Sequence, residues 1–514
     1  MTARPVAVDL FCGAGGLSLG FEQAGFDAAL GVDRDGYHVA THERNFPYGT
    51  SLCRSASDLT AEEIFDAIAA REVDAIVGGP PCQGFSHMGL RDARDERNNL
   101  VFEFARIVAG VRPKAFVMEN VPGMLSGDTR PILDEAIRRF EAAGYAITRP
   151  IRVLDASDFG VPQKRRRLIV LGLRSDIGGT IDYPDGPASG SPPRPTVLEA
   201  IADLPNVDRD PELFERNDAA YEAAPKNAYA RAMRATAIAS GDYAHPRRWA
   251  GDRVSGCLRV RHSRESIALY KSTPVGTMVP GHKLPKLDPN GLAPTLRAGS
   301  DSTHGSYTAP RPIHPIHPRC ITAREAARLH GYPDWFDFYP LKWHAYRQIG
   351  NSVCPPLAKA IGLKVMAAIA CKPTRPRKVL ALTDRFDLPA DRPRTLKRIP
   401  QVTHFPPVIA HLFAERFDGR RLRSPRFSFA DVERAVVVTG VQLTWIRRDT
   451  FLNEIARSRN VLKLLAPCLL HGYTIRRLDA SDAIGEFVPT GDERGIEVKA
   501  PSRRGRVKPA RGVR

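Results

Sequence analysis

From residue 5 to about residue 174, short apolar runs alternate with amphipathic stretches. VAVDLF, AALGVD, DAIVGGP, AFVMENV and RLIVLGL are each bounded by Gly, Pro or Asp, and they predict buried strands of the parallel type. TAEEIFDAIAAREV and RPILDEAIRRFEAAGY, lying between them, carry the 3.6-residue period of helices. Alternation of this kind predicts an α/β fold built on a doubly wound, Rossmann-like sheet, with ligands at the carboxyl ends of its strands. The pattern then changes. From 175 to about 318, Pro and Gly become frequent (DYPDGPASGSPPRPT, HKLPKLDPNGLAPT), and only short helical pieces such as TVLEAIADL survive. This predicts a separate, irregular lobe.

Helical periodicity returns between 319 and 371, in TAREAARLHGY and PPLAKAIGLKVMAAIA. A stretch rich in Pro, Lys and Arg over 372–400 reads as a linker. Beyond it, 401–498 has enough apolar pattern for a small accessory domain. FADVERAVVVTG, RRDTFLNEIARSRNVLKLLAPCLLHGY and TIRRL suggest that this extension is mainly helical, with Trp445 and Phe451 in its core. The tail, 499–514, holds seven Lys or Arg and no acid, and reads as disordered. No repeats are evident.

Composition narrows the function. No run of eighteen apolar residues is present, so no membrane helix is expected, and the N-terminus lacks the pattern of a secretory signal. The eight cysteines are scattered without CxxC spacing, which fits a reducing cytoplasm and gives no reason to expect a metal site. Against 57 acids stand 75 Lys and Arg, a formal charge of +18 that makes nucleic acid the first partner to consider. A basic proteome would give the same balance, so charge alone does not decide the matter.

Four clusters carry candidate chemistry. Asp9–Ser18 runs from a strand through Gly13, Gly15 and Gly16 into a helix, letting backbone approach a ligand and present N–H groups to it. The spacing is neither that of a dinucleotide fold nor that of a phosphate-binding P-loop, and a tight turn without a ligand is the plain alternative. Asp33 ends the second strand, where an acid can take ribose hydroxyls. Asp58 stands before LTAEE, where a helix cap is an equally good reading. GGPPCQGFS places Cys82 on a stiff Pro-Pro step at a strand end, framed by glycines, whereas a structural cysteine needs no such frame. Glu119 ends the apolar strand AFVMEN, where a carboxylate needs either a raised pKa or a partner. Gln163, Arg165 and Arg167 alternate ahead of LIVLGL, so a strand would point all three into one cleft.

In this order and spacing, DLFCGAGG, GVD, SDL, GGPPCQGFS, MENVPG and VPQKRRR resemble the cytosine-C5 DNA methyltransferase family. RCITAREAARLHGYPDWF and Gln348–Pro356 extend the resemblance over roughly 5–370. Cys354 interrupts a Val-Pro step found in many members. Arg34 stands where members often carry a bulky apolar residue against the adenine. The resemblance implies S-adenosylmethionine as cofactor, lying over Phe11, Gly13 and Gly15. Asp33 would hold its ribose and Asp58 would lie near its adenine amino group, with Asn351 and Ser352 at its methionine end. It further implies Cys82 as nucleophile beside Pro81, Glu119 on the ring nitrogen, and Arg165 and Arg167 anchoring the base oxygen or its phosphate, in an order left open. Gln163 would support the site. The helix after Ser352 would pack beside the first helix, and the 175–318 lobe, with Thr295-Leu296 at its end, would read the DNA sequence. Double-stranded DNA is the implied partner of a monomeric, cytoplasmic, nucleoid-associated enzyme, with a cognate restriction endonuclease or defence-system protein as a further partner. A tRNA cytosine methyltransferase and a catalytically inactive DNA-binding relative are the alternatives.

Overall fold

The computed structural model describes residues 4–81, 99–186, 194–235, 241–299 and 311–382, together with three later strands at 426–428, 473–475 and 483–489. Residues 1–390 and 391–514 form two compact units.

The first unit is organised by one sheet. Its strands are β1 (Val6–Leu10), β2 (Asp27–Asp33), β3 (Thr50–Cys53), β4 (Ala75–Gly78), β5 (Ala115–Asn120), β6 (Tyr145–Ile147), β7 (Arg152–Asp155) and β8 (Arg166–Arg174). They lie in the order β3-β2-β1-β4-β5-β8-β6, and β7 also pairs with β8. Five helices connect them: α1 (Gly16–Ala24), α2 (Gly36–Asn45), α3 (Ala61–Ala67), α4 (Asn99–Val111) and α5 (Arg130–Ala142). Strand alternation buries both faces. Val6, Val8 and Leu10 join one apolar cluster with Ile76, Phe116, Met118 and Val170, while Ala7, Val77, Val117 and Leu171 join the other.

All five strands expected from the apolar runs form. β1 to β5 are parallel, but β8, expected as parallel, runs antiparallel to β5. Burial on both faces made RLIVLGL look parallel, yet the same burial suits an antiparallel strand enclosed by helices. The chain leaves β1 toward β3 on one side and returns to β4 on the other. The β1–β4 boundary is therefore the switch point at which such sheets open a ligand crevice.

Outside the sheet lie α6 (Val197–Ile201), α7 (Ala228–Met233), α8 (Arg264–Ser272), α9 (Ala323–Leu329), α10 (Lys342–Asn351) and α11 (Pro355–Ala368). Thr196 with Glu199, and Thr322 with Glu325, make reciprocal capping boxes that start α6 and α9. α11 packs on α1 as the resemblance implied, at very close range. A Cβ on Gly20 would stand 2.3 Å from the Ala358 Cβ, and one on Gly362 would stand 2.8 Å from the Ala24 Cβ.

The lobe is not isolated from the sheet. Val197, Ile201, Leu287 and Leu296 share a core with Ala14, Leu19 and Phe46. The start of the expected linker is also structured, because Leu380 and Ala381 pair with Arg247 and Arg248. Among the described residues no helix is long and apolar enough to cross a membrane.

In the second unit, Arg426–Ser428, Ala483–Pro489 and Tyr473–Ile475 form an antiparallel sheet with the longest strand in the middle. Tyr473–Ile475 is therefore a strand where the sequence suggested helix. Three apolar or β-branched residues in so short a run fit either period. The other segments read as helical, with Trp445, Phe451 and the 499–514 tail, lie outside the described residues.

Candidate active site

The loop after β1 is shaped by left-handed backbone. Phe11 has φ 60°, Gly13 55° and Gly15 102°, and Cys12 N–H donates to the Val32 carbonyl at 3.0 Å. The glycines have different jobs. A side chain on Gly15 would strike the Phe46 ring, and one on Gly16 would strike the Val353 carbonyl at 2.3 Å, whereas no atom lies within 4 Å of that position on Gly13. Gly15 and Gly16 thus permit packing, and Gly13 faces open space.

Asp33, at the end of β2, accepts from Gly13 N–H at 2.9 Å and from Asp35 N–H at 2.8 Å, with His38 Nδ1 3.3 Å away. Burial pushes its carboxyl pKa up, but His38 and the two N–H groups outweigh this and hold it below the ordinary value. Its side chain is still 13% exposed. An ionised acid beside an open glycine loop suits a ligand carrying hydroxyls.

Behind the loop, Asp9 Oδ2 accepts from both the N–H and the hydroxyl of Ser18. That hydroxyl meets His42 Nε2 at 2.9 Å, and His42 Nδ1 meets Ser51 at 2.8 Å. Burial lowers the His42 pKa to about 4 and raises that of Asp9 to about 7. Ser18 and His42 escaped the sequence reading, for no periodicity or motif marks a residue that supports a loop from beneath.

Pro80 and Pro81 follow β4, while Cys82 lies outside the described residues. The surroundings of the loop are described. A Cβ on Gly79 would stand 2.7 Å from Glu119 Oε2, so a side chain there would displace that carboxylate. Asn120 Nδ2 donates to the Pro80 carbonyl at 3.2 Å, tying β5 to the Pro-Pro step. Glu119 is buried, and the partner expected for it is Arg167, whose Nε lies 2.6 Å from Glu119 Oε1. The antiparallel direction of β8 makes this contact. Register pairs Asn120 with Leu168, which brings the first residues of β8 to the edge where β4 and β5 end.

Gln163 and Arg165 do not share the cleft with Arg167, contrary to the alternation argument. β8 begins only at Arg166, so the strand period does not extend back to them. Gln163 is buried, donating to the Leu329 carbonyl and to His330 Nδ1 at 3.1 Å and accepting from Leu296 N–H at 3.0 Å. Arg165 is 1% exposed and donates to the carbonyls of Leu296, Gly350 and Ser352 at 2.8–2.9 Å. Burial, with the charge of Arg167 nearby, lowers its pKa to about 9. Its guanidinium is committed to tethering.

His330 completes this hub. Accepting from Gln163 at Nδ1 leaves Nε2 to donate toward Ser352, and burial keeps the ring neutral. Ser352 is buried, while Asn351 is exposed. Thr295 donates to the Lys164 carbonyl at 2.7 Å, which stitches the end of the lobe to the same hub.

Asp58 is exposed, and Thr60, not Asp58, caps α3. Arg34 is exposed beside Asp33. The structure thus gathers Phe11, Gly13, Gly15 and Asp33 in one place. It sets Glu119 and Arg167 in a second, one strand over, beside the Pro80 step, and buries Gln163, Arg165 and Ser352 in a hub to which the exposed Thr295 is stitched through Lys164.

Comparisons with known proteins give the family. The profile of the family described as C-5 cytosine-specific DNA methylase matches residues 6–367. The Type II methyltransferase M.XorII of Xanthomonas oryzae pv. oryzae is 44% identical over 384 residues, 74% of this chain and 89% of that protein. M.AgeI of Thalassovita gelatinovora, also a Type II methyltransferase, is 31% identical over 71% of this chain and 99% of its own length. Among solved structures, a DNA modification methyltransferase encoded within a prophage (E. coli) is 33% identical with a TM-score of 0.59, over 71% of this chain and 99% of that one. The chain belongs to the C-5 cytosine-specific DNA methylase family and is a DNA cytosine-C5 methyltransferase.

Proposed function

We propose that Cys82 is the nucleophile, that S-adenosylmethionine is the methyl donor, and that the target is a cytosine swung out of a duplex. The observation that carries this reading is the Glu119–Arg167 pair at the sheet edge where the Pro80-Pro81 step leads into Cys82. Cytosine C5 is too weak a nucleophile to take a methyl group unaided. Addition of the Cys82 thiolate to C6 pushes the ring electrons toward C5. Glu119, taking up a proton as the base binds, donates it to N3 and so draws charge in the same direction. Arg167 holds that carboxylate in place and faces the base oxygen. Arg165, spent on three carbonyls, is left with the tethering role.

The donor supplies an electrophilic sulfonium methyl. Phe11, Gly13 and Gly15 border the space for it, Asp33 takes its ribose hydroxyls, and Ser352 and Asn351 close the far end. Once C5 carries the methyl group, a base removes the C5 proton and the electron pair returns to expel Cys82 from C6. A stacked base cannot offer C6 to a thiol, so the cytosine must leave the helix. The relatives are named as Type II methyltransferases. By that likeness, a restriction endonuclease with the same target sequence is the partner we propose, in the cytoplasm where the DNA lies.

A duplex carrying 5-fluorocytosine at the target tests the covalent step. Fluorine replaces the proton that must leave, so elimination stalls and an adduct accumulates. A denaturation-stable protein–DNA species is expected, dependent on S-adenosylmethionine and absent in Cys82→Ser. Full methylation by Cys82→Ser would overturn the assignment.

A further inference from the structure

The lobe leaves one rigid element with an unusual surface. Residues 276–286 form a hairpin. Gly276 N–H donates to the Lys286 carbonyl and Lys286 N–H to the Thr277 carbonyl, both at 2.9 Å, and Val279 N–H donates to the Leu284 carbonyl at 2.8 Å. Gly281, with φ 71°, makes the turn. The hairpin is bolted to α8 by a buried lysine. Lys286 Nζ donates to the carbonyls of Tyr270 and Thr273 at 2.9 and 2.8 Å, at the carboxyl end of the helix where a cation is favoured. Val279 packs inward on Tyr270, Ile313 and Cys320.

Strand alternation sends the neighbour of Val279 the other way. Met278 is 53% exposed, Val275 46%, and Ile267 on α8 40%. These three are among only seven large hydrophobics exposed in the described residues. Their setting is cationic. Arg264, Lys271 and Lys283 are exposed here against one exposed acid, Glu265, and Lys283 stands with His282 at the tip. The chain then runs on to Thr295 and Leu296, which bond Lys164 and Arg165 next to the catalytic edge. Exposed apolar side chains along the hairpin and at its base, beside a basic tip, suit a polyanion that displays apolar groups in a groove. Duplex DNA does so in its major groove, through the methyl of thymine.

We propose that hairpin 276–286, with α8 behind it, enters the major groove of the target site, and that Met278 and Val275 read an A·T pair there by packing on the thymine methyl. This rests on the reading of the chain as a duplex-DNA methyltransferase and adds which residues determine its sequence specificity. The full-length enzyme and a Met278→Ser/Val275→Ser double variant test it. The methylated sequence is first mapped by bisulfite sequencing of treated DNA. Each thymine in that site is then replaced by uracil, which lacks only the methyl group, and kcat/KM is measured for both proteins.

For the native enzyme, uracil at one position is expected to cost roughly tenfold. The double variant should lose about as much on the thymine duplex and no longer distinguish the two bases, with its melting temperature and its affinity for S-adenosylmethionine unchanged. Thymine–uracil discrimination that survives in the double variant, or a target site in which no thymine methyl matters, would overturn the hairpin's role alone. A native enzyme that methylates no duplex DNA would overturn the underlying reading and the hairpin's role together.

Discussion

The sheet and the lobe of residues 175–318 are held together by different forces. In the sheet, alternate residues of β1, β4, β5 and β8 feed two apolar clusters, one on each face. The lobe shares an apolar cluster with the 319–371 segment, and buried charge fastens the two as well. Arg328, fully buried on α9, spans Asp334 at 2.6 Å and Asp203 of the lobe at 3.0 Å. Asp203 also takes Arg234 at 2.7 Å, and Arg319 joins Asp208 of the lobe to Glu325. Apolar layers are tolerant and non-directional. Paired charges must meet their partners and fail badly without them, so they fix one arrangement of loops that have few strands or long helices to define them.

The chemistry we propose lies at the edge of the sheet, and the largest effect is expected there. Glu119→Gln should lower kcat by about 10²–10⁴-fold, the span of a general acid–base contribution, with a lower melting temperature because Arg167 loses its paired carboxylate. A full-rate Glu119→Gln enzyme would remove the carboxylate from the chemistry.

Breaking the lobe comes next. Arg328→Met leaves Asp203 and Asp334 without their shared cation, and should cost about 3–5 kcal/mol in denaturant unfolding. Gly20→Ala probes the apolar side of the comparison. Its methyl would stand 2.3 Å from the Ala358 Cβ where α1 crosses α11. A loss of about 1–3 kcal/mol is expected, together with weaker S-adenosylmethionine binding, because α1 begins at the glycine loop. If Arg328→Met proved milder than Gly20→Ala, the contrast between the regions would fall.

The smallest effect is on pH dependence. His42 in the sheet domain and His314 in the lobe are pushed down to about 4 by burial, and His330 lies well below its ordinary value. The unfolded chain therefore binds protons from about pH 6.5 downward, which the folded chain refuses until near pH 4, so stability falls as pH drops through that window. His262, also lowered by burial, acts with them, while Asp9, raised to about 7 by burial, and His38, raised by Asp33, act in the opposite direction. A melting temperature that declines from pH 6.5 to 4.5, with a shallower decline in His314→Gln, is the expected result.

The same contrast governs what could be read from sequence. β1, β2, β4, β5 and β8 were legible because their apolar runs are local signals. The glycine loop was legible because its motif is contiguous. The direction of β8 was not, since burial on both faces does not reveal which way a strand runs. Nor were the separate duties of Arg165 and Arg167, because their partners, Ser352 and Glu119, lie 187 and 48 residues away in sequence. Apart from the short helix in TVLEAIADL, the attachment of the lobe was illegible for the same reason. A pair such as Arg328–Asp203 spans 125 residues and leaves no periodic trace.

The most direct test of the account is methyl transfer from labelled S-adenosylmethionine into unmethylated duplex DNA, with Cys82→Ser in parallel and the product mapped by bisulfite sequencing. Label at C5 of cytosine within one short sequence, lost in Cys82→Ser, is the predicted result. No incorporation by the native chain, or equal incorporation by the variant, would contradict it.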